Sequence, residues 1–281
     1  MFWRMAKNRI AARALPWLAA LASGLAGAPA LAQDRAVTLN YEITLAGAFG
    51  FRVETTTLVD NDRFAANVDV RKQGVLAAFS SSFHAEIKSS GRLATSLQSV
   101  SASGRLRAGD EDRRFSYAYG PDGQVSYASQ PALEVKTGRE VSDAQRRGSL
   151  DPLTAAVVAV LTREDPCAAN VPVFDGKRRF DLMIDRKGTE PVPDGDAIGI
   201  KGPGLRCDVR LRRIAGYKPG PDDDDDMNKA ARLWLAKLDD SGRYYPVRLE
   251  FDIGIGSVVA RLAKFDARPL TADEKNSLEK K

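Results

Sequence analysis

The chain has 281 residues, with 42 Lys and Arg against 37 Asp and Glu, one His, two Cys and a net charge of +5. Four of the cations, Arg4, Lys7, Arg9 and Arg13, stand in the first 32 residues without a single acid, which leaves 38 cations against 37 acids in the remaining 249 residues. Overall basicity is therefore no argument for nucleic-acid binding, and one histidine leaves little room for His-based catalysis or a His-rich metal centre.

After that basic start, Ala14 to Ala28 is apolar, and Ala30-Leu31-Ala32 supplies a small-x-small cleavage pattern before Gln33. Pro16, Gly24, Gly27 and Pro29 interrupt the run, which keeps it short of the roughly 18 contiguous apolar residues a membrane helix needs. The expectation is a cleaved secretory signal over 1–32. No cysteine follows the cleavage site, so the lipid-anchored version of such a signal is excluded. A soluble periplasmic protein without a transmembrane anchor is expected. In that oxidising compartment the even pair Cys167 and Cys207 is expected to form a disulfide. It would contribute about 4 kcal/mol in the chain-entropy model.

From Val37 onward the sequence alternates. "AVTLNYEITLAG" puts Val37, Leu39, Tyr41, Ile43 and Leu45 on one face and polar residues on the other. "GFRVETTTLVDNDRFAANVDVRK" gives two strands joined at Asp60-Asn61-Asp62. "SSSFHAEIKSSGRLATSLQSVSASGRL" continues the pattern, with turns expected at Ser89-Ser90-Gly91 and Ser103-Gly104, and "RRFSYAYGPDGQVSYAS" folds about Pro121-Asp122-Gly123. A period of two with one wet face indicates an antiparallel sheet.

One segment has helical spacing: "SLDPLTAAVVAVLTR" repeats Leu150, Leu153, Val157, Val160 and Leu161. Asp151 is a good N-cap, and Pro152 suits the first helical position because the N–H it lacks would have no partner there. A short helix over 152–162 should plug or flank the sheet. Strands resume with "FDLMIDRK", "DAIGIKG" and "LRCDVRLRRIAGY", and end in a meander turning at Asp239 to Gly242 and at Gly254 to Gly256. The count is roughly thirteen strands and one helix by the alternation criterion. The polar end, 272–281, reads as a flexible tail after a single domain over 33–271.

Few stretches look like a site. "DPCAANVPVFDGKRRFDL" combines a cysteine, an Asp175-Gly176 turn and three cations. Asp175-Gly176 suits a type I′ hairpin turn, with both residues at positive φ. Arg178 and Arg179 then fall on opposite strand faces, whereas an anion cradle needs converging cations or a glycine-rich loop opening a helix. The five aspartates Asp222 to Asp226 lack the glycine and terminal glutamate of a calcium loop and read as a solvated loop. His84 has no nucleophile or carboxylate spaced to mark it as a base, and no G-x-S-x-G occurs. No catalytic residue, metal ligand or cofactor is assigned.

The segments "SLDPLTAAVVAVL", "PCAANVPVFDGKRRFDL", Cys207 followed by "AGY", and the closing "YYPVRLEFDIGIGSVVARL" resemble the bacterial exported family known as domain of unknown function 3108. That family has a D-P-[L/V]-[S/T] helix start and a P-C…V-[F/Y]-D-G-x-R-x-[F/Y]-x-L segment. The likeness runs roughly from Val37 to Arg268 and implies a β-rich fold. A similar-looking alphaproteobacterial envelope-integrity family forms a curved, spiral antiparallel barrel with a disulfide. No catalytic residues carry over.

The resulting expectation is all-β: one highly curved antiparallel sheet forming an open barrel or β-spiral, with one short helix and the Cys167–Cys207 bridge. The expected function is non-enzymatic support of the cell envelope, with a periplasmic protein, a peptide or an envelope lipid as partner. The alternatives are a lipid or lipoprotein carrier, or a periplasmic glycan- or ester-processing hydrolase. The candidate binding or motif residues are Asp151, Pro152, Asp175, Gly176, Arg178, Arg179, Tyr217 and Trp234. Tyr41, Phe51, Phe83, Trp234 and Phe251 are expected to face the interior or a groove of a monomer.

Overall fold

A computed structural model describes residues 34–74, 82–93, 98–161, 165–194, 199–200, 202–218, 230–253 and 256–280. The signal expected over 1–32 and the run Asp222 to Asp226 lie outside the described residues. Seven strands come first: β1 (Arg35–Leu45), β2 (Ala48–Val59), β3 (Arg63–Lys72), β4 (Phe83–Arg92), β5 (Gln98–Ala108), β6 (Glu111–Tyr119) and β7 (Val125–Gln130). Helices α1 (Asp143–Arg146) and α2 (Pro152–Leu161) follow. Six more strands complete the sheet: β8 (Ala168–Phe174), β9 (Arg179–Pro191), β10 (Pro203–Ala215), β11 (Ala231–Lys237), β12 (Tyr244–Ile253) and β13 (Gly256–Pro269). Helix α3 (Ala272–Glu279) ends the chain.

All thirteen strands form one antiparallel sheet in the order β7-β6-β5-β4-β3-β2-β1-β13-β12-β11-β10-β9-β8. The chain starts in the middle and meanders out to the β7 edge. It then crosses through α1 and α2 to the opposite edge at β8, and meanders back until β13 pairs with β1 over its whole length. The single curved sheet and the disulfide are as the sequence led one to expect.

The alternating positions explain the curl. Val37, Leu39, Tyr41 and Ile43 are buried on one face of β1, opposite Thr57, Thr55, Val53 and Phe51 of β2 and, on the other side, Ala267, Phe265, Leu262 and Ala260 of β13. Helix α2 packs on β8 and on β3, β4 and β5. Strands so far apart in the sheet can share one helix only if the sheet wraps around it. Leu153, Ala155, Ala156, Val157 and Ala159 are all buried, and their mostly small side chains let the helix sit deep inside the curve. Tyr41, Phe83 and Phe251 join this continuous core. They fill the interior instead of lining an open concave groove.

Three local expectations need correcting. Ser89-Ser90-Gly91 and Ser103-Gly104 are not turns but lie within β4 and β5, with a register shift between Ser90 and Gly91. Ser89 and Ser90 are buried, and a Cβ on Gly104 would stand 2.5 Å from Phe115 Cζ, so Gly104 is where an aromatic ring lies on the backbone. The polar end is not a flexible tail. Thr271 and Glu274 form a capping box, and Leu278 is buried on the outer face against Ala36, Ala65 and Leu270. One buried leucine on an otherwise polar octapeptide gives too weak a period to read. At Asp175–Arg178, finally, only Gly176 has positive φ (90°), so the residue pair of a I′ turn is not realised. Asp175 takes the first position of the hairpin loop instead, its N–H donating to Arg178 O at 3.1 Å.

Candidate functional site

The sheet is not closed by pairing β7 with β8. The segment just before α2 bridges them instead. Gly148 N donates to Gly123 O of the β6–β7 hairpin (2.8 Å), Leu150 N to Pro172 O (2.9 Å), and Phe174 N to Leu150 O (2.9 Å). Behind these bonds, Phe174 of β8 packs edge-on against Tyr117 and Tyr127 of β6 and β7, with Phe115, Tyr119 and Val141 around them. This seam is where the motif residues converge.

Asp151 caps α2 as its sequence suggests. Its Oδ1 accepts from Leu153 N (3.0 Å) and Thr154 N (2.9 Å). Its Oδ2 accepts from Tyr119 OH (2.8 Å), and the same hydroxyl accepts from Asp151 N (2.9 Å). Burial pushes the carboxyl above its ordinary pKa, against the pull of those donors. The Tyr119 partnership, which ties the helix to β6, is invisible in the sequence because 32 residues separate the two. Cys167 and Cys207 are joined, with Cα atoms 5.7 Å apart, inside the core.

Asp175 Oδ1 accepts from Lys177 N (3.0 Å) and Arg178 N (2.6 Å), and its Oδ2 from Arg178 Nε (2.9 Å). A Cβ on Gly176 would come within 2.6 Å of the Tyr127 ring, so this turn rests directly on β7. A Cβ on Gly216 would stand 2.3 Å from Lys177 O, so the "AGY" glycine lets the end of β10 lie against the same turn. Two guanidiniums lie over the Tyr217 ring, Arg178 at 5.9 Å and Arg213 at 5.2 Å from its centroid. Arg179 turns the other way, to Asp181 Oδ1 (2.6 Å). Burial acts to raise the Asp181 carboxyl, and its bonds to Arg212 and Arg179 overcome that and hold it below its ordinary value. The motif thus builds the closure of the barrel. Pro172, Phe174, Gly176 and Tyr127 carry it as much as the cations do.

Beside the closure lies what remains open. Gly120 N donates to Gln124 O (2.9 Å) at the β6–β7 hairpin. The alternation of an antiparallel ladder then turns the N–H groups of Val125, Tyr127 and Ser129 away from β6. Among the described residues no strand lies opposite them. The segment 131–141 links the two ends of β7. It is tied to the strand at Ser129, whose hydroxyl donates to Pro131 O (3.1 Å) and accepts from Leu133 N (3.1 Å). No backbone–backbone hydrogen bond joins it to β7 among the described residues. At the Gln124 end of this edge is a cavity of about 380 Å3 lined by Ala118, Tyr119, Gly120, Gln124, Val125, Ser126, Asp143 and Arg146. That falls within the range of small-ligand sites, about 300–1,000 Å3. Arg146 lies over Phe174 (5.7 Å) and pairs with Asp143.

The outer face offers less. Arg52–Glu42–Arg261, Arg248–Glu250–Arg232 and Lys187–Asp208–Arg206 pair charges along it. Trp234, expected on the inner side, is on this outer face. It is opposite Arg206 and Arg248 in register, under the Arg206 guanidinium at 5.0 Å, with Nε1 donating to Glu190 (2.9 Å). Period two alone misplaces it, because Leu233, Trp234, Leu235 and Ala236 are all buried, so burial does not report its side. His84 also points outward, 2.8 Å from Asp69, which Arg71 holds as well (2.6 Å). This is an ion-paired surface cluster with no nucleophile among its partners. Among the described residues no group of three or more His, Cys, Asp or Glu could hold a metal ion. Among the described residues no helix is long and apolar enough to cross a membrane.

No curated protein matches the chain. A family model does, over residues 36–263, and it is that of DUF3108, proteins of unknown function. It spans the sheet from the start of β1 into β13, including the seam with its Asp151, Asp175-Gly176 and Gly216-Tyr217 elements, and the chain belongs to the DUF3108 family.

Proposed function

We propose that this is an exported, non-enzymatic protein of the cell envelope that takes an extended segment of a partner protein along the open edge of β7. The observation that carries this reading is the edge itself. Val125, Tyr127 and Ser129 present outward N–H groups beside a cavity lined by the start of the same strand. Edges of this kind are templates for an added strand, and native sheets usually cover or blunt them. The interior gives a lipid carrier less support, since α2 and the core side chains occupy the curve of the sheet. His84 and Asp69 give a hydrolase less support, since they are bound into an outer-face ion cluster.

The test is a pair of variants. Ser129→Pro removes one outward donor and leaves the bonds to β6 in place, because proline is tolerated on the open side of an edge strand. Ser129→Ala removes the hydroxyl with its bonds to Pro131 O and Leu133 N, which Ser129→Pro loses as well, and keeps the outward N–H. In a deletion strain exposed to detergent, Ser129→Ala should restore resistance and Ser129→Pro should not, with both proteins folded by circular dichroism. A photo-crosslinking residue at Ser126 should capture a partner that one at Asp252, on β12, does not. Full rescue by Ser129→Pro would overturn the reading.

A further inference from the structure

We propose that the cavity at the Gln124 end of β7 is a carboxylate site that receives the C-terminus of the bound segment. The inference rests on the strand-addition reading and names the chemistry of the partner's end. Three observations lead to it.

The first is a half-used guanidinium. A carboxylate commonly takes the Nε–Nη2 edge of an arginine with both oxygens. The chain does this elsewhere: Arg105 holds Asp112 through Nε (2.7 Å) and Nη2, and Arg186 holds Asp165 through Nε (3.0 Å) and Nη2 (2.8 Å). Arg146 uses only Nη2, toward Asp143. Its Nε is buried and has no partner among the described residues. Asp143 is a weak competitor for the other position, because its side chain is 85% exposed and solvent screens an exposed ion pair.

The second is direction. Every strand pair in this sheet is antiparallel. A strand added to β7 in the same sense runs from the Gln130 end toward Gln124, so its C-terminal end arrives at the cavity. The third is a stop. Just beyond Gln124, Gly148 N is bonded to Gly123 O and the seam closes on Leu150 and β8. A chain following the edge meets that closure and has to end there. A chain end at that point carries a carboxylate, and Arg146 is the cation lining the space it would enter.

The experiment uses the full mature chain, immobilised, and one pool of random octapeptides made twice, with free C-terminal carboxylates and as C-terminal amides. Retained peptides are counted by mass spectrometry on the unaltered protein and on Arg146→Ala, Arg146→Lys and Ser129→Pro. The acids should be retained at least ten-fold over the amides. That preference should vanish in Arg146→Ala and be largely lost in Arg146→Lys, which keeps the charge without the fork. Equal retention of acids and amides, lost together in Ser129→Pro, would overturn the carboxylate site while leaving strand addition standing. An acid preference that persists in Arg146→Ala would overturn it as well. Retention untouched by Ser129→Pro would overturn strand addition instead. If neither pool is retained, both readings fall.

Discussion

The middle of the sheet and its seam close the same barrel by different physics. Where β1 meets β13, two strands pair from Arg35↔Pro269 to Leu45↔Val258, and the backbone supplies the closure. Any alternating sequence of suitable volume meets that requirement, which is why β1 reads as a strand and little more. At the seam three backbone bonds are eked out by specific side chains. Phe174 packs edge-on against both Tyr117 and Tyr127, Gly176 and Gly216 allow approaches that a Cβ would forbid, and Asp151 and Tyr119 exchange two hydrogen bonds. Closure by side chains demands particular residues, so the legible motifs collect there. It also leaves β7 with an unmatched edge, and that is where binding is proposed.

The contrast can be broken in order of expected effect. Cys167→Ser should cost most, about 2–5 kcal/mol, the usual loss for a native bridge. Chemical denaturation under non-reducing conditions measures it, and it tests whether the β8–β10 side depends on its staple. Gly176→Val should cost about 1–3 kcal/mol from backbone strain alone, since Gly176 holds φ of 90°, and more from the clash with Tyr127. A near-neutral result would mean that the turn does not rest on β7.

Asp151→Asn sharpens the comparison because asparagine caps a helix about as well as aspartate. The Asp151 carboxyl titrates above its ordinary value in the folded chain. The folded state therefore binds more protons than the unfolded state in the window above about pH 4, and the group's contribution to stability falls as pH rises. Asp181, Asp69 and Glu274 work in the opposite sense. Against burial, which acts to raise both, hydrogen bonds to Arg212 and Arg179 hold Asp181 low and hydrogen bonds to His84 and Arg71 hold Asp69 low, while Arg268 and Thr271 bring Glu274 down to about 2. The useful quantity is thus the difference between the variant and the unaltered protein. It should move in favour of Asp151→Asn as pH rises from 4 to about 7, by denaturation at matched ionic strength. A flat difference would show that hydrogen bonds, not charge, set the cap. The smallest effect is expected away from the seam. Arg232→Ala on the outer face should change stability by less than about 0.5 kcal/mol, and His84→Ala should restore detergent resistance fully.

What was readable came from local chemistry. Period-two alternation marked most strands. Asp151-Pro152 marked the start of α2, and Asp60-Asn61-Asp62 marked a turn in which Asp60 Oδ1 accepts from Arg63 N (2.6 Å). Local chemistry also misled where tertiary contacts reused its signals. Serine and glycine inside β4 and β5 looked like turns because a bulge and a ring lying on Gly104 need the same residues. Helix α3 was missed because a single leucine, Leu278, fixes it to the outer face.

Of the site, the sequence offered Asp151, Asp175 and Gly176 as motif positions, but not Tyr119, Tyr127, Arg146 or Arg213. Those come from β6, β7, α1 and β10 and meet the motif only when the sheet curls. By itself, then, the sequence determined an alternating β framework, the helix within it and the cysteine pair. These depend on spacing along the chain, and spacing is what a sequence records. Which strands would stand at the edges was decided by the tertiary structure alone, because β13 captured β1 and α2 drew β8 toward β3–β5, leaving no strand paired with the outer side of β7 among the described residues.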